Sequence, residues 1–316
     1  MTNIIYQVMF KPIFAIITAI VALFSSSAPA PVTPVEPSSP IVSVNPNPIA
    51  ESVLTQDITV MSYNLKISGD GMMSVENRAP KVIQLIKKHG ADSVGVQEAD
   101  KTWTDLLEAS LTDYARVGTY RDDGIEKGES SSIFYLKDKY ELIDSGNFWL
   151  SETPDVPSLG WDSYDCFRIC TYAVLRNKET GFTYAHFNAH FDNVGTVAKT
   201  ESVALVTKRI SEIAPDIPVV LTGDFNFRES SYNYDYLLDS GLNDTKYLAE
   251  KSESGNTYHG HSPIAMTNEP IDYIMVNGYV ESVASYEIDD SVIGFIWPSD
   301  HYPIISELTI FNGGNN

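Results

Sequence analysis

Six places in the chain share one pattern: an apolar, strand-like run meets a residue able to hold a cation or move a proton. Asn64 follows residues 58–63, Glu98 follows 94–97, and His190 and Asp192 follow 184–189. Asp224 and Asn226 follow 219–223, Asp272 opens 273–276, and Asp300 and His301 precede 302–305. A single Asp at a strand end is usually a cap or a turn former. Six such places in one chain are poorly explained as independent caps, because strands of one sheet can carry their ends to a common edge.

The donor types say what chemistry that edge would support. Asn64, Glu98, Asp224, Asn226 and Asp300 present only oxygen, which suits magnesium, manganese or calcium better than zinc. Such a cation polarises a phosphoryl oxygen and offsets charge on the leaving oxygen. Asp224 would accept a proton from an attacking water, with Asn226 aligning it. His190 and His301 would hydrogen-bond the phosphoryl oxygens, and a protonated imidazole would favour the transition state. A lone His after an apolar strand is more often structural. His301 departs from that pattern through its Ser299-Asp300 and Tyr302-Pro303 flanks.

In chain order, Ser62-Tyr63-Asn64-Leu65, Val96-Gln97-Glu98, Asn188-Ala189-His190-Phe191-Asp192, Gly223-Asp224-Phe225-Asn226, Ile271-Asp272-Tyr273-Ile274 and Ser299-Asp300-His301-Tyr302-Pro303 resemble the motif series of the endonuclease/exonuclease/phosphatase superfamily. Each motif alone is weak, but the ordered set, spanning 58–308, is specific. The resemblance implies an α+β fold, a four-layer α/β/β/α sandwich of two mainly antiparallel sheets packed face to face with helices outside. It implies hydrolysis of phosphoesters with Mg2+ or Mn2+ as cofactor. Asn64 and Glu98 would lie at the metal, Glu98 as a direct ligand, and Asp300 near the metal or the water. Asp224 would activate the water with help from Asn226. His301 would contact the scissile phosphate while Asp272 holds its ring, and His190 would contact it from the other side. Gly128-Glu129-Ser130-Ser131 resembles the segment whose Glu pairs with that first histidine; Glu129 is either that partner or a solvated loop carboxylate.

The stretch from Gly146-Asn147-Phe148-Trp149 to Trp161, then Arg168-Ile169-Cys170-Thr171, is similar to a secreted branch related to the carbon catabolite repressor-type deadenylases. Arg168 suits a phosphate contact because its planar fork matches phosphate oxygens; the other reading pairs it with Asp162 or Asp165. Trp161 either flanks the substrate or fills a loop core. His259 either lines the cleft or packs beneath it.

Holding these residues takes many strands and a few helices. Apolar runs predict strands over 58–63, 93–97, 131–135, 142–149, 171–176, 183–190, 219–222, 271–276, 280–286 and 302–308, with Gly223 ending the strand before Asp224. Helices are predicted over 78–89, 103–111 and 196–213. The first carries Val82, Leu85 and Ile86 on one face and stops at Gly90; the last carries Val203, Val206, Ile210 and Ile213 as one stripe. Strands apolar on both faces must be covered on both, so two facing sheets with helices outside fit.

Composition is that of a globular protein: 316 residues, 43% hydrophobic and 20% charged. The net charge of −21 excludes the broad basic groove that long duplex nucleic acid requires. It leaves room for one phosphate held by a local cluster and a bound cation. The expected partner is a phosphoester substrate: nucleic acid, nucleotide or small phosphodiester. The expected activity is a phosphodiesterase with nuclease-like chemistry. A phosphomonoesterase, or a hydrolase of lipid or inositol phosphates, is the alternative within the class. No exposed apolar hairpin for reaching lipid is evident, and no protein partner is evident. A non-catalytic acidic metal-binding module is the alternative outside it, but such a module would not need two histidines and an Asp/Asn pair.

Residues 1–27 read as a signal peptide, with Lys11 before an apolar run of about 13 residues, short for a membrane span. Residues 28–56 read as a Pro/Ser-rich linker, 57–311 as the catalytic domain and 312–316 as a disordered tail. The mature chain is expected to be secreted or periplasmic, without a stable membrane span. Cys166 and Cys170 on one strand would lie about 13 Å apart, too far for a bridge, and are expected to be free thiols.

Overall fold

The computed structural model describes residues 54–262 and 268–313. The expected signal peptide and nearly all of the expected linker lie outside the described residues, as does the end of the tail. With strands numbered in chain order, one sheet runs β10 (Ala249–Ser252), β12 (Val280–Ile288), β13 (Ile304–Phe311), β1 (Thr55–Asn64), β2 (Ser93–Gln97), β4 (Ile133–Leu136), β3 (Tyr114–Val117). The other runs β5 (Tyr140–Trp149), β6 (Ile169–Asn177), β7 (Thr183–His190), β8 (Val219–Asp224), β11 (Asp272–Val276), β9 (Asn243–Asp244). Among the described residues only β1–β2, β7–β8 and β10–β12 pair in parallel, so both sheets are mixed and mainly antiparallel.

Alternation along the strands builds the layers. Ile58 and Val60 of β1 meet Val220 of β8 and Ile274 and Val276 of β11 in the core between the sheets. Met61 and Tyr63 of β1 pack with Val82, Leu85 and Ile86 of α1 (Val75–His89) and Trp103 and Leu107 of α2 (Lys101–Ser110). Val219 and Leu221 of β8 pack with Val203, Val206 and Ile210 of α3 (Thr196–Ile213) and Leu237 of α4 (Tyr232–Asp239). The order is helix, sheet, sheet, helix, as the sequence implies. No described helix is long and apolar enough to cross a membrane.

Part of the inter-sheet core is a polar, hydrogen-bonded network. His186 meets Ser93 Oγ at 2.9 Å and Thr222 Oγ1 at 2.8 Å, and Thr222 donates to Asn188 Oδ1 at 3.0 Å. Gln97 Nε2 donates to the same oxygen at 2.7 Å, and Asn188 Nδ2 donates to Val96 O at 2.9 Å. Burial pushes His186 down to about 3, so the ring is neutral. Gly95 of β2 lets this network close: a Cβ there would stand 2.2 Å from Thr222 Oγ1 and 2.6 Å from Asn188 Oδ1. Gly95→Ala is therefore expected to destabilise the protein by about 1–3 kcal/mol through overpacking. The check is a lowered denaturant midpoint at unchanged slope. A variant as stable as wild type would show that the sheets part freely here.

Three local expectations change. β8 runs through Gly223 to Asp224 instead of stopping at Gly223, because Asp224 is paired on both sides, with His190 and with Asp272. Gly223 serves close approach, since its Cβ would meet Ala189 O at 2.1 Å. β1 begins at Thr55, inside the expected linker, and pairs there with Phe311. An apolar turn also stands out of the surface: Ile293 and Ile296 bridge, and Phe295, at φ +71°, is fully exposed. Gly294 interrupts that run and hides it from a period-two reading. Cys166 and Cys170 are both free, Cys170 buried on β6 and Cys166 in the preceding loop.

Candidate active site

Strand register assembles the site. β7, β8 and β11 are neighbours, and their pairing sets His190 beside Asp224 and Asp272 beside Asp224 from the other side. On the facing sheet, Asn64 pairs with Gln97, so Glu98 emerges next to Asn64. The chain then turns sharply off three strands through left-handed residues: Lys66 (φ 56°), Glu98 (φ 58°) and Asn226 (φ 52°). Asn tolerates this conformation, whereas Glu and Lys pay about 1–3 kcal/mol for it, a cost typical of functional edges.

These ends line a cleft of about 420 Å³. Asp224 stands at its centre. Its Oδ2 accepts from Asn64 Nδ2 at 2.9 Å and lies 3.5 Å from His190 Nε2 and 3.7 Å from His301 Nε2; its Oδ1 accepts from Asn226 N at 3.0 Å. The same Asn64 Nδ2 reaches Glu98 Oε1 at 3.1 Å, and Glu98 Oε2 accepts from Ile67 N at 2.7 Å. His301 Nδ1 meets Asp272 Oδ2 at 2.9 Å, and Thr257 Oγ1 donates to that oxygen at 2.5 Å. Lys66 Nζ donates to Asp300 Oδ2 at 2.7 Å.

The two histidines sit in opposite fields. Burial works against charge on His301, but the Asp272 and Asp224 carboxylates outweigh it and raise the ring to about 10. His190 is held well below its ordinary value by burial, then by Arg168, Arg121 and His301. A protonated ring is therefore available from His301 and not from His190. Burial, then Asp272, pushes Asp224 up to about 7. Burial likewise raises Glu129 to about 7, despite the Arg121 guanidinium beside it. Asp300 is low: burial opposes this, but His301 and Lys66 prevail.

Most residues singled out from the sequence meet here: Glu98, Glu129, Arg168, His190, Asp224, Asn226, Asp300 and His301 all line the cleft. Asn64 and Asp272 stand directly behind, on Asp224 and His301. Several details differ from expectation. Asn64 turns its amide nitrogen to the two carboxylates, and its Oδ1 accepts from Lys66 N at 2.9 Å. Glu129 is 4.0 Å from His190 Nδ1 and bonds Arg121 at 2.7 Å. Arg168 faces Asp192, not Asp162 or Asp165. His259 and Trp161 are outside the cleft lining: His259 is buried, stacked on Tyr302 at 4.3 Å, and the Trp161 amide caps Glu152. Both follow loop packing that no short motif encodes. Sequence reasoning missed Lys66, Arg121 and Tyr258, whose ring lies 4.8 Å from His301. Lone cations and aromatics in loops carry no periodic signal that would reveal them.

The donor set fits a divalent cation. Glu98, Asp224 and His190 each offer one atom within 4.8 Å of the others. Glu98 and Asp224 share the Asn64 amide and otherwise accept from the backbone N–H groups of Ile67 and Asn226, neutral donors that cannot balance two negative charges; a hard cation would.

The endonuclease/exonuclease/phosphatase family model matches residues 61–301. An endonuclease/exonuclease/phosphatase family protein from Bacteroides thetaiotaomicron is similar in structure, with a TM-score of 0.78 at 34% identity over 82% of this chain and 97% of that one. A mannosyl-6-phosphatase from Bacteroides thetaiotaomicron VPI-5482 has a TM-score of 0.75 at 35% identity over 79% of this chain and 99% of that one. The CCR4-Not complex 3'-5'-exoribonuclease subunit Ccr4 of Mycosarcoma maydis is 23% identical over 93% of this chain. The chain spans 34% to 59% of the length of the curated relatives it matches. With the sandwich fold, the strand-end site and the matched motifs in agreement, the chain belongs to the endonuclease/exonuclease/phosphatase family, whose members hydrolyse phosphoester bonds.

Proposed function

We propose that this chain hydrolyses small phosphate esters, phosphomonoesters of sugar-like molecules foremost, with a magnesium or manganese ion held at Glu98 and Asp224. One observation carries the reading: two carboxylates share a single amide donor while the imidazolium of His301 stands 3.7 Å from one of them. That arrangement suits a cation, a water and a phosphoryl group together. The net charge of −21 disfavours long polyanions, and the likeness to a mannosyl-6-phosphatase supports a small monoester. A nuclease is the second reading, supported by the exoribonuclease relative. Export after removal of residues 1–27 belongs to the same proposal; an exported chain that still begins at Met1 would refute that part.

When bound, the cation would polarise the phosphoryl oxygens and offset charge on the leaving oxygen. Asp224 takes the proton of the attacking water as the new P–O bond forms and the P–O bond to the leaving group breaks; that proton is then returned to the leaving oxygen or to solvent. Asn226 N fixes Asp224 Oδ1 at 3.0 Å, and Asn226 Nδ2 is committed to Phe191 O at 3.0 Å, so its amide oxygen is the acceptor for the water. His301 commits Nδ1–H to Asp272. Its Nε2–H, too far from Asp224 for a good hydrogen bond, is offered to a phosphoryl oxygen.

The test is a substrate panel of mannose 6-phosphate, other sugar phosphates, p-nitrophenyl phosphate, its bis ester and RNA, with magnesium, manganese or chelator. Metal-dependent phosphate release from the small monoesters, with little from RNA, is expected. Rapid RNA breakdown with inert monoesters would replace this reading by the nuclease.

A further inference from the structure

The cleft wall beyond His190 carries two guanidinium groups, Arg121 and Arg168. Both are anchored and nearly buried, with side chains 12% and 6% exposed. Arg121 lies in the loop closed by the Tyr120–Ser130 bridge and spends one terminal nitrogen on Glu129 Oε1 at 2.7 Å. Arg168 is the last residue before β6 and spends one on Asn193 Oδ1 at 3.1 Å. The Nε–H groups of both are buried without a hydrogen-bond acceptor, and each faces a carboxylate of the protein: Arg121 Nε is 3.8 Å from Asp122 Oδ1 and Arg168 Nε is 3.7 Å from Asp192 Oδ2. Among the described residues each guanidinium hydrogen-bonds a protein acceptor through only one of its nitrogens, and two such held forks on one wall of an active-site cleft suit an anionic ligand.

We propose that Arg121 and Arg168 form a subsite that takes non-bridging oxygens of a phosphomonoester dianion and thereby sets a preference for monoesters over diesters. The proposal rests on the hydrolase reading above. A monoester carries close to two negative charges at neutral pH and three terminal oxygens; a diester carries one charge and two such oxygens. Guanidinium forks match pairs of phosphate oxygens, and rigid anchoring lowers the entropy lost on binding. Replacing one terminal oxygen by an alkoxy group removes an acceptor and leaves a guanidinium donor unpaired, the circumstance in which a site discriminates most strongly.

The experiment compares kcat/KM for p-nitrophenyl phosphate and bis-p-nitrophenyl phosphate, with saturating metal, in wild type, Arg121→Gln, Arg168→Gln and Arg121→Lys. Each glutamine variant is expected to lose about 10–100-fold on the monoester, the worth of a charged hydrogen bond, and several-fold less on the diester. The lysine variant recovers part of the loss. Equal losses on both esters, or an unchanged ratio, would overturn the proposal. Should neither glutamine variant fold by circular dichroism, the wild type decides. Inorganic phosphate is expected to inhibit at least 10-fold more tightly than dimethyl phosphate at about pH 8, and equal inhibition overturns the proposal. A folded wild type inert on both esters removes the hydrolase reading and this subsite with it. An active wild type that treats both alike removes the subsite alone.

Discussion

Asp224→Asn is expected to lower kcat by about 10²–10⁴-fold, the range of a positioned general base, while raising the stability of the metal-free protein. Both effects have one cause. Burial and the neighbouring Asp272 push the Asp224 carboxyl up to about 7, above its unfolded value of about 3.9. Charging it in the folded state therefore opposes folding. That cost is absent below about pH 4, grows as pH rises towards 7 and is constant above. Asparagine keeps the shape without the charge, which removes a cost of about 4 kcal/mol at pH above 7 without metal. Its NH2 must face Asn64 Nδ2 or Asn226 N, however, which returns about 2 kcal/mol, so a net gain on the order of 2 kcal/mol is expected. A cation reverses the order by stabilising the wild type alone. Thermal melts with chelator and with magnesium, beside single-substrate kinetics, read all three. A variant that melts below wild type in chelator, or that keeps a tenth of wild-type kcat, would dismiss Asp224 as the strained base.

His301→Ala is expected to cost about 10²–10³ in kcat, the scale of losing one preorganised donor to the transition state. The Asp272 and Asp224 carboxylates overcome burial and hold the ring at about 10, so the wild-type enzyme should keep a charged donor throughout the neutral range. Its raised value favours folding: the contribution is complete below about 6.5, the unfolded value, and is lost as pH rises through about 10. Asp272→Asn removes the bond to Nδ1 at 2.9 Å and should bring an alkaline limb of the rate profile down towards neutrality. Two observations would count against His301: a wild-type alkaline limb near pH 7, or an Asp272→Asn profile that superposes on wild type.

Much of this was legible in one dimension. β7 and α3 run as the apolar pattern says, because an eight-residue strand buried on both faces and a four-membered helical stripe each present a continuous surface to their neighbours wherever they pack. The short elements were not legible. β9, β10 and α5 (Thr245–Leu248) are two to four residues long, below the length at which a period shows, and α4 hides its turn among tyrosines. Asp224, Asn226, Asp300 and His301 could be named because chemistry at a strand end demands particular residue types. Lys66 and Arg121 could not, since a cation in a loop reads alike whether it meets solvent or a carboxylate.

Sequence alone determined which side chains are able to do the chemistry, the layered packing that apolar strands require, and an overall charge hostile to long polyanions. Tertiary structure decided the rest: that Asn64 lends its nitrogen to two carboxylates, that His301 is charged while His190 is neutral, and that His259 and Trp161 stand outside the cleft. The reason is physical. Composition and period act through nearest neighbours along the chain, whereas protonation and ligand geometry depend on burial and on charges that meet only when β1, β2, β7, β8 and β11 are brought to one edge.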